Sequence, residues 1–240
     1  MMDQEAERLD NWHAPPRPGP DRLEGRLVRL ERLDPTRHTA DLFRANAVDD
    51  AIWDYLPYGP FQDEAAYRAW VEKMAVLQDP FFYVLRDLRT GRCGGVASYL
   101  RITPEAGSIE VGHINLSREL QRTPAATEAM ALMMGWAFDA GYRRYEWKCN
   151  ARNLASRRAA ERLGLSYEGV FRQAAVVKGR NRDTAWFAAI DKEWPALKSA
   201  FGTWCDPANF DSEGRQILAL SDLTRPILAT RDPLHPAATA

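Results

Sequence analysis

Three strand-like runs follow one another between Phe81 and Leu116: FFYVLRDL, CGGVASYLRI and SIEVGHINL, separated by a Thr90-Gly91 turn and a turn from Pro104 to Gly107. Connections this short join antiparallel neighbours, because a parallel crossover needs a dozen or more residues. The centre of the fold is therefore predicted to be antiparallel sheet. Upstream, GRLVRLERL (residues 25–33) alternates as one more strand, though both of its faces are mixed. DPTRHTADLFRANA opens with helix-start chemistry at Asp34, Pro35 and Thr36, and QDEAAYRAWVEKMAVLQ repeats Ala66, Trp70, Met74 and Leu77 at helical spacing. Between these helices the aromatic-rich loop IWDYLPYGPF reads either as packing over the core or as the wall of a binding site.

Downstream come an apolar helix ending in AMALMMGWAF, a strand YRRYEWKCN, a helix NLASRRAAERLG closed by Gly164, and strands LSYEGVF and TAWFAAI. The order βααβββαβαββ predicts one α+β domain over residues 23–192, a mixed, mainly antiparallel central sheet with flanking helices. Residues 1–22, acidic and then proline-rich, are expected to form a flexible arm. Residues 193–240 are expected to supply a helix and an extension packed on the domain.

Composition excludes several classes. With 45% hydrophobic and 27% charged residues the chain of 240 residues can bury a substantial core, and its formal net charge of −1 provides no global field for nucleic acid or anionic membrane. The longest apolar run falls well short of the roughly 20 residues that span a bilayer, and the first twenty residues lack a signal-like apolar stretch. A cytoplasmic protein is expected. Cys93, Cys149 and Cys205 form no C-x-x-C pair, and His13, His38, His113 and His235 show no ligand spacing, so no metal is implied.

The stretch LSRELQRTPAATEAMALMMGWAF (residues 116–138) runs from a strand through a polar turn into a helix. Thr123 can cap that helix and Pro124 suits its first position, where a missing N–H costs nothing. The amides of Gln121 to Thr127, excepting Pro124, can then cradle a phosphate at the positive end of the helix dipole, or the stretch can be a capped helix and nothing more. In NLASRRAAERLG, Asn153 is a credible cap and Ser156 lies in the first turn. Arg157, Arg158 and Arg162 read as a solvated face, or, with Arg143, Arg144 and Arg152, as a nucleic-acid patch that Glu161, Glu168 and the near-neutral total charge weaken.

The strand order, QRTPAAT after the GHINLS strand, and NLASRRAAERLGLSYEG downstream together resemble the GNAT acyltransferase superfamily, in particular its RimJ/RimL-like branch. The resemblance covers about residues 23–191. In that family the pattern Q/R-x-x-G-x-G/A grips the pyrophosphate of acetyl-coenzyme A; here Gln121 and Ala126 match and Pro124 replaces the first glycine. The resemblance implies a GNAT-like sheet, acetyl-CoA as cosubstrate, and a cofactor site at Asn115, Leu116, Gln121, Arg122, Thr123, Ala125, Ala126, Thr127, Asn153 and Ser156. It implies that Asn153 positions the pantetheine arm and that Ser156 protonates the departing thiolate, because Ala160 stands where many members carry a tyrosine. Cys149 matches a cysteine of RimL-like proteins and reads equally as a buried strand residue.

Acetylating an amine requires a proton acceptor near the nitrogen and a donor for the oxyanion. Glu110 and His113 are the candidate bases. They point to opposite faces of a regular strand, and a bulge at Gly112 would turn both toward one cleft and free a backbone N–H. Each has a plain structural alternative, a cross-strand ion pair for Glu110 and a satisfied half-buried imidazole for His113. The base that the RimL-like resemblance implies falls on Ala175. The expectation is an acetyl-CoA-dependent N-acetyltransferase acting by direct transfer on a small or amino-acid-like amine. A protein N-terminal acetyltransferase and a non-catalytic acyl-CoA sensor stand as alternatives.

Overall fold

A computed structural model describes residues 8–234 of the chain. Its eight strands are β1 (Arg22–Glu24), β2 (Val28–Arg32), β3 (Phe81–Asp87), β4 (Cys93–Thr103), β5 (Ser108–Leu116), β6 (Arg144–Asn150), β7 (Ser166–Val177) and β8 (Arg180–Ile190). They form one sheet in the order β1-β2-β3-β4-β5-β6-β8-β7, antiparallel throughout except for β5 and β6. The helices are α1 (Pro35–Asn46), α2 (Glu64–Ala75), α3 (Pro124–Asp139), α4 (Leu154–Arg162), α5 (Trp194–Cys205) and α6 (Leu220–Thr224).

Local chemistry sets the helix starts. Asp34 accepts hydrogen bonds from the amides of Thr36 (2.8 Å) and Arg37 (2.9 Å), with Pro35 at the first position of α1. Asp63 caps α2 through Ala66 N at 2.7 Å, Thr123 caps α3 through Ala126 N at 3.2 Å, and Asn153 caps α4 through Ser156 N at 3.0 Å. Gly164 closes α4 with a left-handed φ of 86°, and α5 lies so near that a side chain there would collide with Leu197.

Two apolar clusters hold the layers together. One joins α3, α4 and α5 to the sheet through Leu30, Tyr83, Ala97, Tyr99, Ile109, Val111, Tyr145 and Phe187. The other joins α1 and α2 to the opposite face through Leu42, Tyr67, Val71, Phe82, Val84 and Val96. Alternation along each strand produces this division, since Phe82 and Val84 face one way while Tyr83 and Leu85 face the other. Helix α3 is apolar nearly all round because sheet covers one side and α5 another. Its one buried carboxylate, Glu128, accepts from the amides of Arg26 (3.0 Å), Leu27 (2.7 Å) and Val28 (3.0 Å), pinning the β1-β2 turn to the helix.

The α+β architecture expected from the sequence is present, with three additions. The short β1 pairs with β2 ahead of the first expected strand. Strands β7 and β8 continue into QAAVV and RNRD, so the last hairpin is far longer than its apolar segments. Residues 8–20 of the expected flexible arm lie against the body: Pro15 and Pro18 are buried, Tyr83 donates to Pro20 O at 2.7 Å, and Tyr142 donates to Pro16 O at 3.0 Å. His235 lies outside the described residues.

Candidate active site

Strand β5 and strand β6 are joined by α3, and their parallel pairing is brief. Ser108 to Val111 register with Arg144 to Trp147, and beyond that point no pair joins the two strands. The residues from Gly112 to Leu116 and from Lys148 to Asn150 therefore border an opening in the sheet at the C-terminal ends of both strands. A crevice where a parallel pair parts, with a helix N-terminus beside it, is where α/β folds receive ligands.

On the α3 and α4 side the opening continues into a cleft of about 530 Å³. Its wall combines Ile114 and Leu116 of β5, Trp147 of β6, residues 122–124 with Ala126, Thr127 and Met130 at the start of α3, and Ala155, Arg158, Ala159 and Arg162 of α4. At the head of α3, Arg122 adopts a left-handed φ of 60°. Of the amides expected to form an anion cradle, that of Gln121 donates to Ser117 O (3.0 Å), that of Ala126 to Thr123 Oγ1 (3.2 Å) and that of Thr127 to Thr123 O (3.3 Å). The amides of Arg122, Thr123 and Ala125 have no acceptor among the described residues. Three free N–H groups at a helix start, with the cations of Arg122, Arg158 and Arg162 on the same wall, are what a pyrophosphate requires. The side chain of Gln121 is engaged with Leu116 O at 2.9 Å.

Asn115 is buried with neither atom of its side-chain amide hydrogen-bonded. Asn153 spends its oxygen on capping α4, and Ser156 Oγ accepts a hydrogen bond from Trp147 Nε1 at 2.9 Å. Trp147 lines the cleft, and its Nε1 ties Ser156 to that wall. With the indole as donor, the serine hydroxyl keeps its own proton to give. Cys149 sits beside it; burial pushes that thiol up, and the Ser156 hydroxyl offsets part of the shift. A protonated buried thiol is a poor nucleophile.

On the opposite face of the opening the bulge in β5 is present, displaced by one residue from the expected Gly112. Register passes from Gly112 opposite Ser98 to Asn115 opposite Val96, and His113 itself takes the left-handed conformation, with φ of 51°. The consequence is the one that a bulge predicts: Glu110 and His113 share a face. A histidine in this backbone region costs roughly 1–3 kcal/mol unless its surroundings fix it. Here they do, because its ring stacks on Tyr58 at 5.6 Å and packs on Phe82 at 5.2 Å. Burial drives the His113 pKa down to about 4, assisted by the charges of Arg101 and Arg182, and its Nδ1 is buried without a partner.

Glu110 is differently placed. Its carboxylate meets Arg101 at 2.7 Å and Lys148 at 2.9 Å, and Lys148 also meets Glu146 at 2.8 Å. Burial pushes Glu110 up while Lys148 and Arg101 pull it back. It is an ion-cluster residue first and a free base only if those bonds open. The aromatic loop is the wall of this face: Trp53, Tyr58 and Phe61 pack on Tyr67 and Trp70, and Trp53 O accepts from Lys178 Nζ at 2.9 Å at the tip of the β7-β8 hairpin.

The chain matches the family model for the acetyltransferase (GNAT) domain over residues 28–166. The chain belongs to the GNAT acetyltransferase family. Among solved structures it is similar to a GCN5-related N-acetyltransferase from Brucella melitensis, at 45% identity over 90% of this chain and 100% of that one, with a TM-score of 0.89. It is also similar to a probable GNAT-family acetyltransferase from Chromobacterium violaceum ATCC 12472, at 43% identity over 80% and 96%, with a TM-score of 0.76. RimL, the ribosomal L7/L12 alpha-N-protein acetyltransferase, shares the fold at 23% identity over 69% and 91%, with a TM-score of 0.60. No curated protein matches the chain. No helix among the described residues is long and apolar enough to cross a membrane.

Within this GNAT frame the sequence missed several residues of the cleft. Trp204, Phe210, Gly214 and Gln216 of the C-terminal extension form its outer wall, and Arg162 reaches Thr127 Oγ1 at 3.1 Å beneath Trp204, 5.0 Å from that ring. Arg157, read as part of a solvated face, is instead buried in a two-bond pair with Asp232 at 2.7 and 2.6 Å. Nothing in the helix sequence distinguishes it from Arg158, because its partner lies seventy-five residues away in sequence.

Proposed function

We propose that this GNAT protein is an acetyl-CoA-dependent N-acetyltransferase that moves acetyl directly to the primary amine of a small, amino-acid-like acceptor. The observation that carries the reading is the parting of β5 from β6 after Val111 and Trp147, with free amides at one end of the opening and the unpaired His113 imidazole on the other face. Acetyl-CoA fits the cleft on chemical grounds: the amides of Arg122, Thr123 and Ala125 suit its pyrophosphate, and Ile114, Leu116 and Met130 suit its pantetheine arm. When bound, it supplies an acetyl thioester.

His113 is the better candidate base. Its imidazole is held neutral well below neutral pH, and the ring can take the proton that an attacking amine sheds as the new C–N bond forms. Glu110 holds Lys148 and Arg101 in register around it. Residues 113 and 114 have no registered partner on β4, and the bulge there is the candidate source of a strand N–H for an oxyanion. Ser156, oriented by Trp147, is the candidate donor to the leaving thiolate. The buried, protonated state of Cys149 favours direct transfer over an acyl-enzyme.

A cytoplasmic location, implied by scattered free thiols, belongs to the same reading. Acetylation of a protein N-terminus is the second reading, favoured by the fold shared with RimL. Release of CoA thiol from acetyl-CoA, followed with a mixture of free amino acids, simple amines and N-terminal peptides, tests the proposal. Thiol release that requires a small amine, with the N-acetyl product found by mass spectrometry, supports it. Release with peptides alone would favour the second reading, and CoA binding without release on any amine would leave only a sensor.

A further inference from the structure

The acceptor face carries a guanidinium that has no ion-pair or hydrogen-bond partner among the described residues. Lys148 is shared between Glu110 and Glu146, and Arg101 is paired with Glu110. Arg182 has no such partner: its guanidinium makes neither a hydrogen bond nor an ion pair among the described residues, and its Nε is buried and unsatisfied. Its place in β8 follows from the two-residue period. Trp186 lies on the face that carries Lys148, whose ammonium sits 3.8 Å above the Trp186 ring, and Arg182 is four residues before Trp186 on the same strand. The residue opposite Arg182 on β7 is Ala175, which leaves that side of the guanidinium open. On that shared face the charge of Arg182 is felt by His113 and by Glu110.

A half-buried guanidinium without a direct ion-pair or hydrogen-bond partner is costly, because it gives up water and makes no bond in return. It is also the wrong charge to receive a bare amine. Both difficulties vanish if the missing partner arrives with the acceptor. We infer that the acceptor is an amine that also bears a carboxylate, and that Arg182 binds that carboxylate so as to hold the amino group at His113. A guanidinium matches a carboxylate in shape and hydrogen bonding, and a single uncompensated positive charge matches a monoanion better than a phosphate dianion. The inference rests on reading this face as the acceptor site.

Matched acceptors provide the test: alanine, serine and glutamate, their amides, the amines lacking the carboxyl group, and phosphoethanolamine. Thiol release should favour the carboxylates over their amides by about 10²-fold in kcat/KM, the range expected for a charge-assisted pair. In Arg182→Gln that ratio should collapse toward one, and Arg182→Lys should restore part of it. A second readout is independent of turnover: with CoA saturating, N-acetylalanine should raise the melting temperature and N-acetylalaninamide should not, and Arg182→Gln should erase the difference. Turnover without a carboxylate preference, a preference for phosphoethanolamine, or an unchanged ratio in Arg182→Gln would overturn the inference while leaving N-acetyl transfer intact. A melting shift specific for N-acetylalanine without any thiol release would support Arg182 and count against the transferase reading. If neither readout separates carboxylate from amide, the inference is overturned.

Discussion

Val111 and Trp147 are the last registered pair between β5 and β6, and the chemistry assigned to this protein begins where that pairing ends. Trp147 serves both sides of the boundary. Its ring lines the cleft, and its Nε1 donates to Ser156 Oγ at 2.9 Å.

That hydrogen bond makes the first prediction. Ser156→Ala should lower turnover by roughly 10–100-fold with little change in acetyl-CoA affinity, as when one hydrogen bond to developing charge is lost. Trp147→Phe should give a smaller loss, because it frees the serine to rotate without removing it. Steady-state kinetics alongside titration calorimetry separates the two effects. Weaker CoA binding with unchanged turnover in Ser156→Ala would reduce Ser156 to a residue of the α4 start.

His113 is held neutral down to about pH 4, whereas a histidine in an unfolded chain titrates near 6.5. Between those values the unfolded chain takes up a proton that the folded chain refuses, so stability falls as pH drops through the window. His113→Gln should make that acid-side loss shallower than in the parent, read from melting temperatures. The same substitution should lower the kcat/KM plateau by about 10²-fold and leave the alkaline rise in place, because that rise belongs to the amine. A limb near pH 6.5 that vanishes in the variant would contradict the depressed imidazole.

Cys149 should be dispensable. Its thiol is pushed up by burial, and direct transfer leaves it no covalent task. Cys149→Ala should retain turnover within a few-fold, and double-reciprocal plots at varied acetyl-CoA should intersect. Parallel lines with an acetylated Cys149 would replace direct transfer with an acyl-enzyme.

The C-terminal segment should contribute to stability through the pair of Arg157 and Asp232. Removing one member of a buried pair leaves an uncompensated charge, so Asp232→Ala should cost about 3–5 kcal/mol in urea unfolding. The exposed pair of Arg225 and Asp222, 2.5 Å apart, should be worth about 1 kcal/mol or less when Asp222 is changed to Ala. Equal costs for the two would contradict the burial argument.

How far the sequence could be read follows from the range of each signal. Thr123, Asp34 and Asn153 cap their helices as the local pattern predicts, because capping involves residues two or three apart. The bulge was legible from Gly112, yet the strained residue is His113, whose conformation depends on Tyr58 and Phe82 from other elements. The outer half of the β7-β8 hairpin was not legible, because exposed residues on both faces produce no alternation. Arg182, Arg157 and Trp204 take their meaning from partners, or from the lack of them, that only the folded chain brings near.

A crystal structure with acetyl-CoA tests the account most directly. The pyrophosphate is predicted on the amides of Arg122, Thr123 and Ala125, and the thioester at the opening between Ile114 and Trp147, with His113 facing it from the opposite side. Acetyl-CoA bound elsewhere, or a thioester remote from that opening, would contradict the account.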